Sequence, residues 1–184
     1  GKRARRGYTC DEVGIVPTRR TRDPEVVSTQ WSIDAFQFEI PVLGAPMDSV
    51  MSPETAIALG ELGGLGVLNL EGLWTRHEDP QPLLDELATL GDDAETVKRM
   101  RQMYAAPIRP ELIRDRLGEI RAAGVTVAGA LSPHRTAEFH DTVIKAGVDL
   151  FVIRGNTVSA EHVSVDGREP LNLKQFIYEL DVPV

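Results

Sequence analysis

The chain has 184 residues, of which 42% are hydrophobic and 26% are charged, and its formal net charge is −8. This composition is typical of a soluble domain with a buried core. It excludes a membrane span, because no apolar run approaches the roughly 20 residues that one needs. The single cysteine excludes an internal disulfide, and a cytoplasmic setting is therefore expected.

The charge is unevenly distributed. Residues 1–22 hold seven Lys and Arg side chains against Asp11 and Glu12, a local charge of +5, so the remainder carries −13. We expect residues 1–35 to form an extended basic arm, with a small strand or extended segment at 13–17, that packs on the acidic body or on a neighbouring subunit. A nucleic-acid contact is the alternative, but no aromatic interleaving or nucleic-acid motif supports it.

The stretch 40–50 predicts the first structural unit. Its apolar start indicates a short, fully buried strand over 41–45, and its end is a polar tip that contains Asp48. Ser52 suits a helix N-cap and Pro53 the first helical position. A buried strand, a polar tip and then a helix is the arrangement from which α/β folds build sites.

The same order of apolar helix, closing glycine and buried strand recurs along the chain. A glycine just past a helix is the favoured left-handed stop. Serial strand–helix units predict parallel strands joined by right-handed crossovers. The later strands are predicted near 65–68, 126–131 and 149–153, with another starting at 182, and the helices over 56–62, 112–123, 136–146 and 171–180.

This series favours an α/β fold, the first half of a (β/α)8 TIM barrel that ends in the fifth strand, because a closed barrel needs ~250 residues. A complete, small doubly wound sheet is the alternative, but an apolar end at 182–184 argues against it. Residues 1–184 are thus predicted to be the N-terminal half of one catalytic domain. The charged segment 72–109 is an insertion in a βα connection, with short helices near 83–87 and 94–104.

Barrel sites lie at the carboxyl ends of the strands, so the residues that follow each strand are predicted to converge. No metal-ligand spacing links the four histidines, and the sequence has no P-loop and no dinucleotide-binding glycine fingerprint. The predicted lining is Ala45, Met47, Asp48 and Ser49 from strand one, Asn69 and Glu71 from strand two, Ser132, Pro133 and His134 from strand three, and Arg154, Gly155, Asn156 and Thr157 from strand four.

Most of these residues also have a simpler interpretation. Met47 could fill the core, Asp48 could bond the amides of its own turn, and His134 could lie on the surface. Arg154 is harder to dismiss, because an unpaired arginine at a buried strand end indicates an anion, an acidic partner or a phosphate. Cys10 lies in the arm, before the first core strand, and is interpreted as structural or incidental.

Four motifs together resemble the IMP dehydrogenase / GMP reductase family: DEVGIVP at 11–17, PVLGAPMDSV at 41–50, LGGLGVLN at 62–69 and AGVD at 146–149. The resemblance spans nearly the whole chain. The continuation LEGLWTR at 70–76 and the absence of a regulatory CBS pair resemble a divergent, actinobacterial-type branch of that family.

The resemblance implies a barrel of guanine nucleotide biosynthesis that oxidises IMP with NAD. A loop cysteine attacks C2, hydride passes to NAD, and water releases xanthosine monophosphate. A homotetramer and a monovalent cation in the full-length enzyme are also implied. The predicted substrate site is Ala45, Met47, Asp48 and Asn69, and the predicted cofactor site is His134, Arg154, Gly155 and Asn156.

Two features depart from the family pattern. The catalytic cysteine loop, the phosphate-binding glycines and the general-base flap belong to the other half of the barrel, so no catalytic residue is predicted here and the fragment alone should be inactive. The usual dehydrogenases also carry an aspartate followed by serines where this chain has Arg154-Gly155-Asn156. Arginine has no acceptor for ribose hydroxyls, which favours an anion such as the phosphate of NADP, or a changed activity.

Three alternatives remain open from the sequence. GMP reductase shares the site and uses NADPH. A flavin-dependent barrel of the nitronate monooxygenase type also carries Pro-x-x-x-Ala-Pro-Met on its first strand, and implies bound FMN. A nucleotide-binding or assembly protein that has lost its chemistry is the non-enzyme alternative.

Overall fold

A computed structural model describes residues 5–17, 19–155 and 171–184. Its centre is a parallel sheet whose four strands lie in chain order, as the series of strand–helix units predicts. A separate antiparallel hairpin precedes the sheet. The hairpin strands are β1 Trp31–Ile33 and β2 Phe36–Phe38, and the sheet strands are β3 Leu43–Gly44, β4 Leu65–Asn69, β5 Ala128–Leu131 and β6 Leu150–Ile153.

The helices begin where the sequence places capping residues. Ser52 accepts a hydrogen bond from the Thr55 amide at 3.0 Å, and Ser132 accepts one from the Arg135 amide at 3.3 Å. In both cases a proline follows the cap, which suits the first helical position because that amide has no intrahelical partner. The helices are α1 Pro53–Glu61, α2 Gln81–Thr89, α3 Ala94–Met103, α4 Pro110–Ala122, α5 Pro133–Lys145 and α6 Leu173–Glu179.

The sheet is buried on both faces, which accounts for its nearly continuous apolar strands. All five residues of β4 and all four of β5 are buried. One cluster joins Leu68 to the inward side of α4, including Leu117, and a second joins Leu65 and Val67 to the hairpin residue Phe38. The predicted α/β architecture is therefore confirmed, whereas closure into a barrel stays a prediction.

The prediction of a fully buried strand over 41–45 is wrong. The strand comprises only Leu43–Gly44, and the side chains of Val42 and Leu43 are 47% and 52% exposed. Among the described strands, only β4 pairs with it, so it forms an edge of the sheet. An edge strand has one hydrogen-bonding neighbour instead of two, which explains both its shortness and its exposure.

The segment at 182–184 lies where a fifth strand is predicted. The Phe151 amide donates to the Pro183 carbonyl oxygen at 2.9 Å, and Val182 packs against the core. This backbone bond places the segment beside β6. It is not a regular strand in the part of the chain that the structure describes.

The predicted arm over 1–35 is too long, because the hairpin already begins at Trp31. The Trp31 and Phe38 rings stack with centroids 4.5 Å apart, and Asp34 takes a φ of 51° in the two-residue turn. Apolar and polar residues alternate on both sides of Asp34-Ala35, and this alternation is the sequence signal for the hairpin. Segment 13–17 is exposed and forms no strand.

The insertion at 72–109 contains α2 and α3, as predicted, and begins with a tight turn. The hydroxyl of the fully buried Thr75 donates to the Leu70 carbonyl oxygen at 2.9 Å, and the Thr75 carbonyl accepts from the Arg109 amide at 2.8 Å. These two bonds hold the start and the end of the insertion together, next to the C-terminal end of β4. None of the described helices is long and apolar enough to cross a membrane.

Candidate functional site

The carboxyl ends of the strands open into a cleft of about 830 Å³. One wall is the tip that follows β3, residues 46–50, and the opposite wall is formed by α2 and α3. Five of the residues predicted to line the site line this cleft. They are Met47, Asp48, Ser49, Asn69 and Arg154.

The β3 tip is a compact turn that directs Met47 outward. The Met47 carbonyl oxygen accepts from the Val50 amide at 2.9 Å and from the Met51 amide at 2.8 Å. Met51 is 1% exposed and anchors the turn in the core, whereas Met47 is 48% exposed. In this chain the side chain of Met47 is therefore accessible from the cleft.

Asp48 links the tip to the insertion. Its Oδ2 accepts from the Leu73 amide at 3.0 Å and from the Tyr104 hydroxyl. Its Oδ1 is buried and has no hydrogen-bond partner among the described residues. Gly72 lies against Oδ1, and a Cβ at that glycine would be 1.9 Å from it. The Asp48 carboxylate thus accepts hydrogen bonds from residues that are distant in the sequence, Leu73 and Tyr104.

Tyr104, at the end of α3, is the site residue that sequence reasoning missed. It is half-buried and lines the cleft. Burial raises the pKa of Tyr104, and the hydrogen bond to Asp48 raises it further, so the hydroxyl stays protonated and donates. Since 56 residues separate the two partners, no local sequence signal could have paired them.

Asn69, at the end of β4, forms the floor of the cleft and is 8% exposed. Its Oδ1 accepts from the Glu71 amide at 3.2 Å, which orients the side-chain amide. The Glu71 carboxylate accepts from the Ser132 amide at the start of α5. The tips of β4 and β5 are therefore joined by hydrogen bonds.

Arg154 differs from its prediction in two respects. It is exposed instead of lying at a buried strand end, and its guanidinium donates to the Pro46 carbonyl oxygen, with no acidic partner among the described residues. The exposed position removes the desolvation cost that motivated an anionic partner. Arg154 thereby reaches the β3 tip from β6, across the open end of the sheet.

The remaining predicted residues are less closely associated with the cleft. Ala45 is exposed, and its carbonyl oxygen accepts from the Met47 amide at 2.8 Å, within the tip. His134 is exposed in the first turn of α5 and is not among the described residues that line the cleft. Gly155 is exposed next to Arg154, whereas Asn156 and Thr157 lie outside the described residues.

Other candidate chemistry is weaker. Cys10 is an exposed thiol within the arm. The described residues contain no group of three or more His, Cys, Asp or Glu that could hold a metal ion. A second cleft of about 570 Å³ lies at the amino-terminal ends of the strands, and its charged lining residues are Glu39 and Glu61. Sites of this architecture form at the opposite ends, which favours the cleft beside Met47.

Comparison with known proteins identifies the family. The family described as the IMP dehydrogenase / GMP reductase domain matches residues 7–165. The chain belongs to this family. The resemblance carried by the four sequence motifs is thereby confirmed.

The similar proteins are about twice as long as this chain. A Mycolicibacterium smegmatis protein named an uncharacterized oxidoreductase is 47% identical over the whole chain, which spans 50% of that protein. A Mycobacterium tuberculosis protein with the same description is 48% identical, again with 50% covered. The crystal structure of an IMP dehydrogenase/GMP reductase-like protein from Corynebacterium glutamicum superposes with a TM-score of 0.85 at 44% identity, over 98% of this chain and 48% of that one.

A named dehydrogenase matches only in part. The inosine-5'-monophosphate dehydrogenase of Methanocaldococcus jannaschii is 38% identical over 66 residues, which is 36% of this chain and 13% of that protein. Among the proteins named here, the mycobacterial and corynebacterial ones match along nearly the whole of this chain. This agrees with the predicted divergent branch.

Proposed function

We propose that the full-length protein is an IMP dehydrogenase-like oxidoreductase that oxidises IMP to xanthosine monophosphate with NAD, and that this chain is the N-terminal half of its TIM barrel. The convergence of Met47, Asn69 and Arg154 on one cleft at the strand ends carries the proposal. The family match and the oxidoreductase names of the mycobacterial relatives support it. The cytoplasmic setting, the tetramer and the role in purine biosynthesis belong to the same proposal.

The cleft suits a purine nucleotide. Its volume of about 830 Å³ lies within the usual range of small-molecule sites, roughly 300–1,000 Å³. Met47 offers an exposed, polarizable side chain to a flat ring, and Asn69 offers a side-chain amide fixed by the Glu71 amide. In this proposal Met47 packs on the base, and Asn69 forms a hydrogen bond with the ligand.

The residues after β6 suit the phosphate groups of a dinucleotide. Arg154 carries five N–H donors, one of which is directed at Pro46, and Gly155 lets a ligand approach the backbone closely. We assign the cofactor to these residues, with His134 at the start of α5 on the same side. NAD, when bound, supplies the hydride acceptor of the reaction.

The chemistry itself requires residues beyond this chain. A cysteine thiolate adds to C2 of the purine, C2 loses its hydride, and water then cleaves the carbon–sulfur bond to release xanthosine monophosphate and the thiol. The exposed Cys10, in the arm, does not supply this thiolate. Any monovalent cation belongs with the cysteine loop. The role of this chain is to bind and orient the nucleotide and the cofactor.

GMP reductase with NADPH is the second candidate, and Arg154 favours it. A guanidinium beside the cleft suits the additional phosphate of NADPH better than a ribose hydroxyl, because arginine only donates hydrogen bonds. Both candidates require the same nucleotide-binding tip. They differ in the cofactor and in the direction of the reaction.

Assays of the purified full-length protein separate the candidates. IMP with NAD should yield NADH, whereas turnover of GMP with NADPH would establish the reductase instead. Failure of both reactions, or purification as a yellow protein with bound FMN, would contradict the proposal. The 1–184 chain assayed in parallel should show no turnover, because it lacks the nucleophile.

A Met47→Ala variant tests the nucleotide contact. Loss of the thioether side chain should raise the KM for IMP about tenfold, which corresponds to ~1.4 kcal/mol of apolar contact. Leu62→Ala is the matched control, because Leu62 is 71% exposed and lies at the other end of the sheet, beside the second cleft. Equal KM values in the two variants would remove Met47 from the site.

A further inference from the structure

The β3 tip that carries Met47 is held from two sides. From β6, Arg154 donates to the Pro46 carbonyl oxygen. From the insertion, the Leu73 amide and the Tyr104 hydroxyl donate to Asp48. The tip itself is exposed at Met47 and Val50, so these polar contacts contribute to fixing its place.

The helices of the insertion are only weakly fixed by apolar burial. None of the nine residues of α2, all described by the structure, is fully buried, and within α3 only Met103 is buried. Their mutual contact includes an ion pair in which Arg99 donates to both Glu86 oxygens, at 2.6 and 2.8 Å. The orientation of this helix pair therefore depends on polar contacts at its base.

Three side-chain hydrogen bonds secure the C-terminal end of α3. His77 Nε2 lies 3.0 Å from the Met103 carbonyl oxygen, and Arg76 donates to the Ala106 carbonyl oxygen. Both of these partners lie within the insertion. The Tyr104–Asp48 bond is the one among the three that reaches the β3 tip, so it couples the two walls of the cleft directly.

The insertion side of the cleft is mainly apolar where it faces the tip. Leu84 and Leu87 of α2 and Met100 of α3 line the same cleft as Met47, together with the polar Gln81, Asp85 and Thr96. A flat, uncharged ring placed between these side chains would be in apolar contact on both faces. The distance between the walls then decides how well the ring is held.

We propose that Tyr104 is a positioning residue for the purine ring of the substrate. Its hydrogen bond to Asp48 fixes the Met47 tip relative to the α2–α3 wall, so that the ring binds between them. Gly72 serves the same arrangement, because any side chain there would displace the Asp48 carboxylate. This inference rests on the proposed function, since it assigns the substrate to the same cleft.

Calorimetric titration of the full-length protein with IMP tests the proposal. Tyr104→Phe keeps the ring and removes the donor, and should raise the dissociation constant for IMP about tenfold, as expected for loss of a hydrogen bond to a charged group. Tyr178→Phe is the matched control, because Tyr178 is 91% exposed, and it should bind IMP as the wild type does.

Gly72→Ala reaches the same carboxylate by a different route and should weaken IMP binding similarly. If both substitutions act through Asp48, their effects should not add. The double variant should then have the same dissociation constant for IMP as the single variant that binds IMP less tightly. Amide hydrogen exchange over 94–104 should also be faster in Tyr104→Phe than in the wild type.

Two results would contradict the positioning role of Tyr104, and only one of them would also contradict the proposed function. If wild-type protein binds IMP and Tyr104→Phe binds it equally well, Tyr104 has at most a structural role and the inference is wrong, while the proposed function stands. If wild-type protein binds neither IMP nor GMP, the proposed function is wrong, and the positioning role is excluded with it.

Discussion

The parallel sheet with the helices that pack on it, here called the body, and the insertion at 72–109 are stabilised in different ways. In the body, β4 and β5 are buried on both faces, and helix α4 places Leu117 and Ile120 fully inside the core. In the insertion, Met103 is the one buried residue of α2 and α3, and the Tyr104 hydroxyl bonds to Asp48 of the β3 tip, whereas His77 and Arg76 hold the end of α3 within the insertion. Apolar burial is non-directional, whereas each polar contact depends on a single partner.

This difference assigns separate roles to the two regions. The body determines where the strand tips lie, and it tolerates changes that preserve volume and pattern. The insertion lines the cleft, and we expect its single polar contacts to set the width of the cleft. Substitutions in the body should therefore change global stability, whereas substitutions in the insertion should change binding and local opening.

The largest expected effect is in the body. Leu117→Ala should lower the free energy of unfolding by about 2–5 kcal/mol, since it leaves a cavity in a fully buried site. Leu87→Ala in α2, where the side chain is half-buried, should cost less than about 1 kcal/mol. Urea denaturation of the full-length variants measures both. Equal losses would contradict the distinction between the two regions.

The next effect concerns close packing of α1 on β4. A Cβ at Gly66 would lie 2.5 Å from the Ala56 Cα, so Gly66→Ala should cost about 1–3 kcal/mol. Gly118→Ala is the control, because no atom lies within 4 Å of its Cβ position and alanine favours a helix interior by about 0.5–1 kcal/mol. A destabilised Gly118→Ala variant would show that α4 is packed differently.

A smaller effect comes from the insertion at alkaline pH. The pKa of Tyr104 is raised above the ordinary value of 10.0, so its protonated hydroxyl contributes stability that is fully present below pH 10. That contribution is lost as the pH rises through the folded-state pKa. Above pH 10, the wild-type melting temperature should fall more steeply than that of Tyr104→Phe. Tyr178→Phe should follow the wild type.

The smallest effect is expected at the exposed ion pair between α2 and α3. The hydrogen bonds from Arg99 lower the pKa of Glu86, so the pair is charged at neutral pH. Glu86→Gln should leave the global melting temperature unchanged and speed amide exchange only within α2 and α3. Glu95→Gln, at the exposed Lys98 pair, is the control. A global loss of stability in Glu86→Gln would contradict weak attachment of the insertion.

The body could be predicted from sequence because its signals are local. Predicted strands near 65–68, 126–131 and 149–153 coincide with β4, β5 and β6. The glycine stops Gly63, Gly124 and Gly147 all have positive φ, from 78° to 83°. Helix caps, glycine stops and apolar runs each act over a few residues, so one sequence suffices to find them.

The site could be predicted only in outline. Strand order alone brings Met47, Asn69 and Arg154 to one cleft, whereas the partners of the tip depend on tertiary contacts. Arg154 donates to Pro46 across 108 residues, and Tyr104 donates to Asp48 across 56. Neither contact leaves a periodic or motif signal. The exposed edge at β3 likewise depends on which strand lies beside it.

The decisive measurement is amide hydrogen exchange of the full-length protein with and without IMP. We expect IMP to slow exchange over 46–50, the β3 tip, and over 94–104, while the exposed arm at 5–17 is unchanged. Protection by IMP elsewhere, with none at the β3 tip, would contradict a nucleotide site built on Met47.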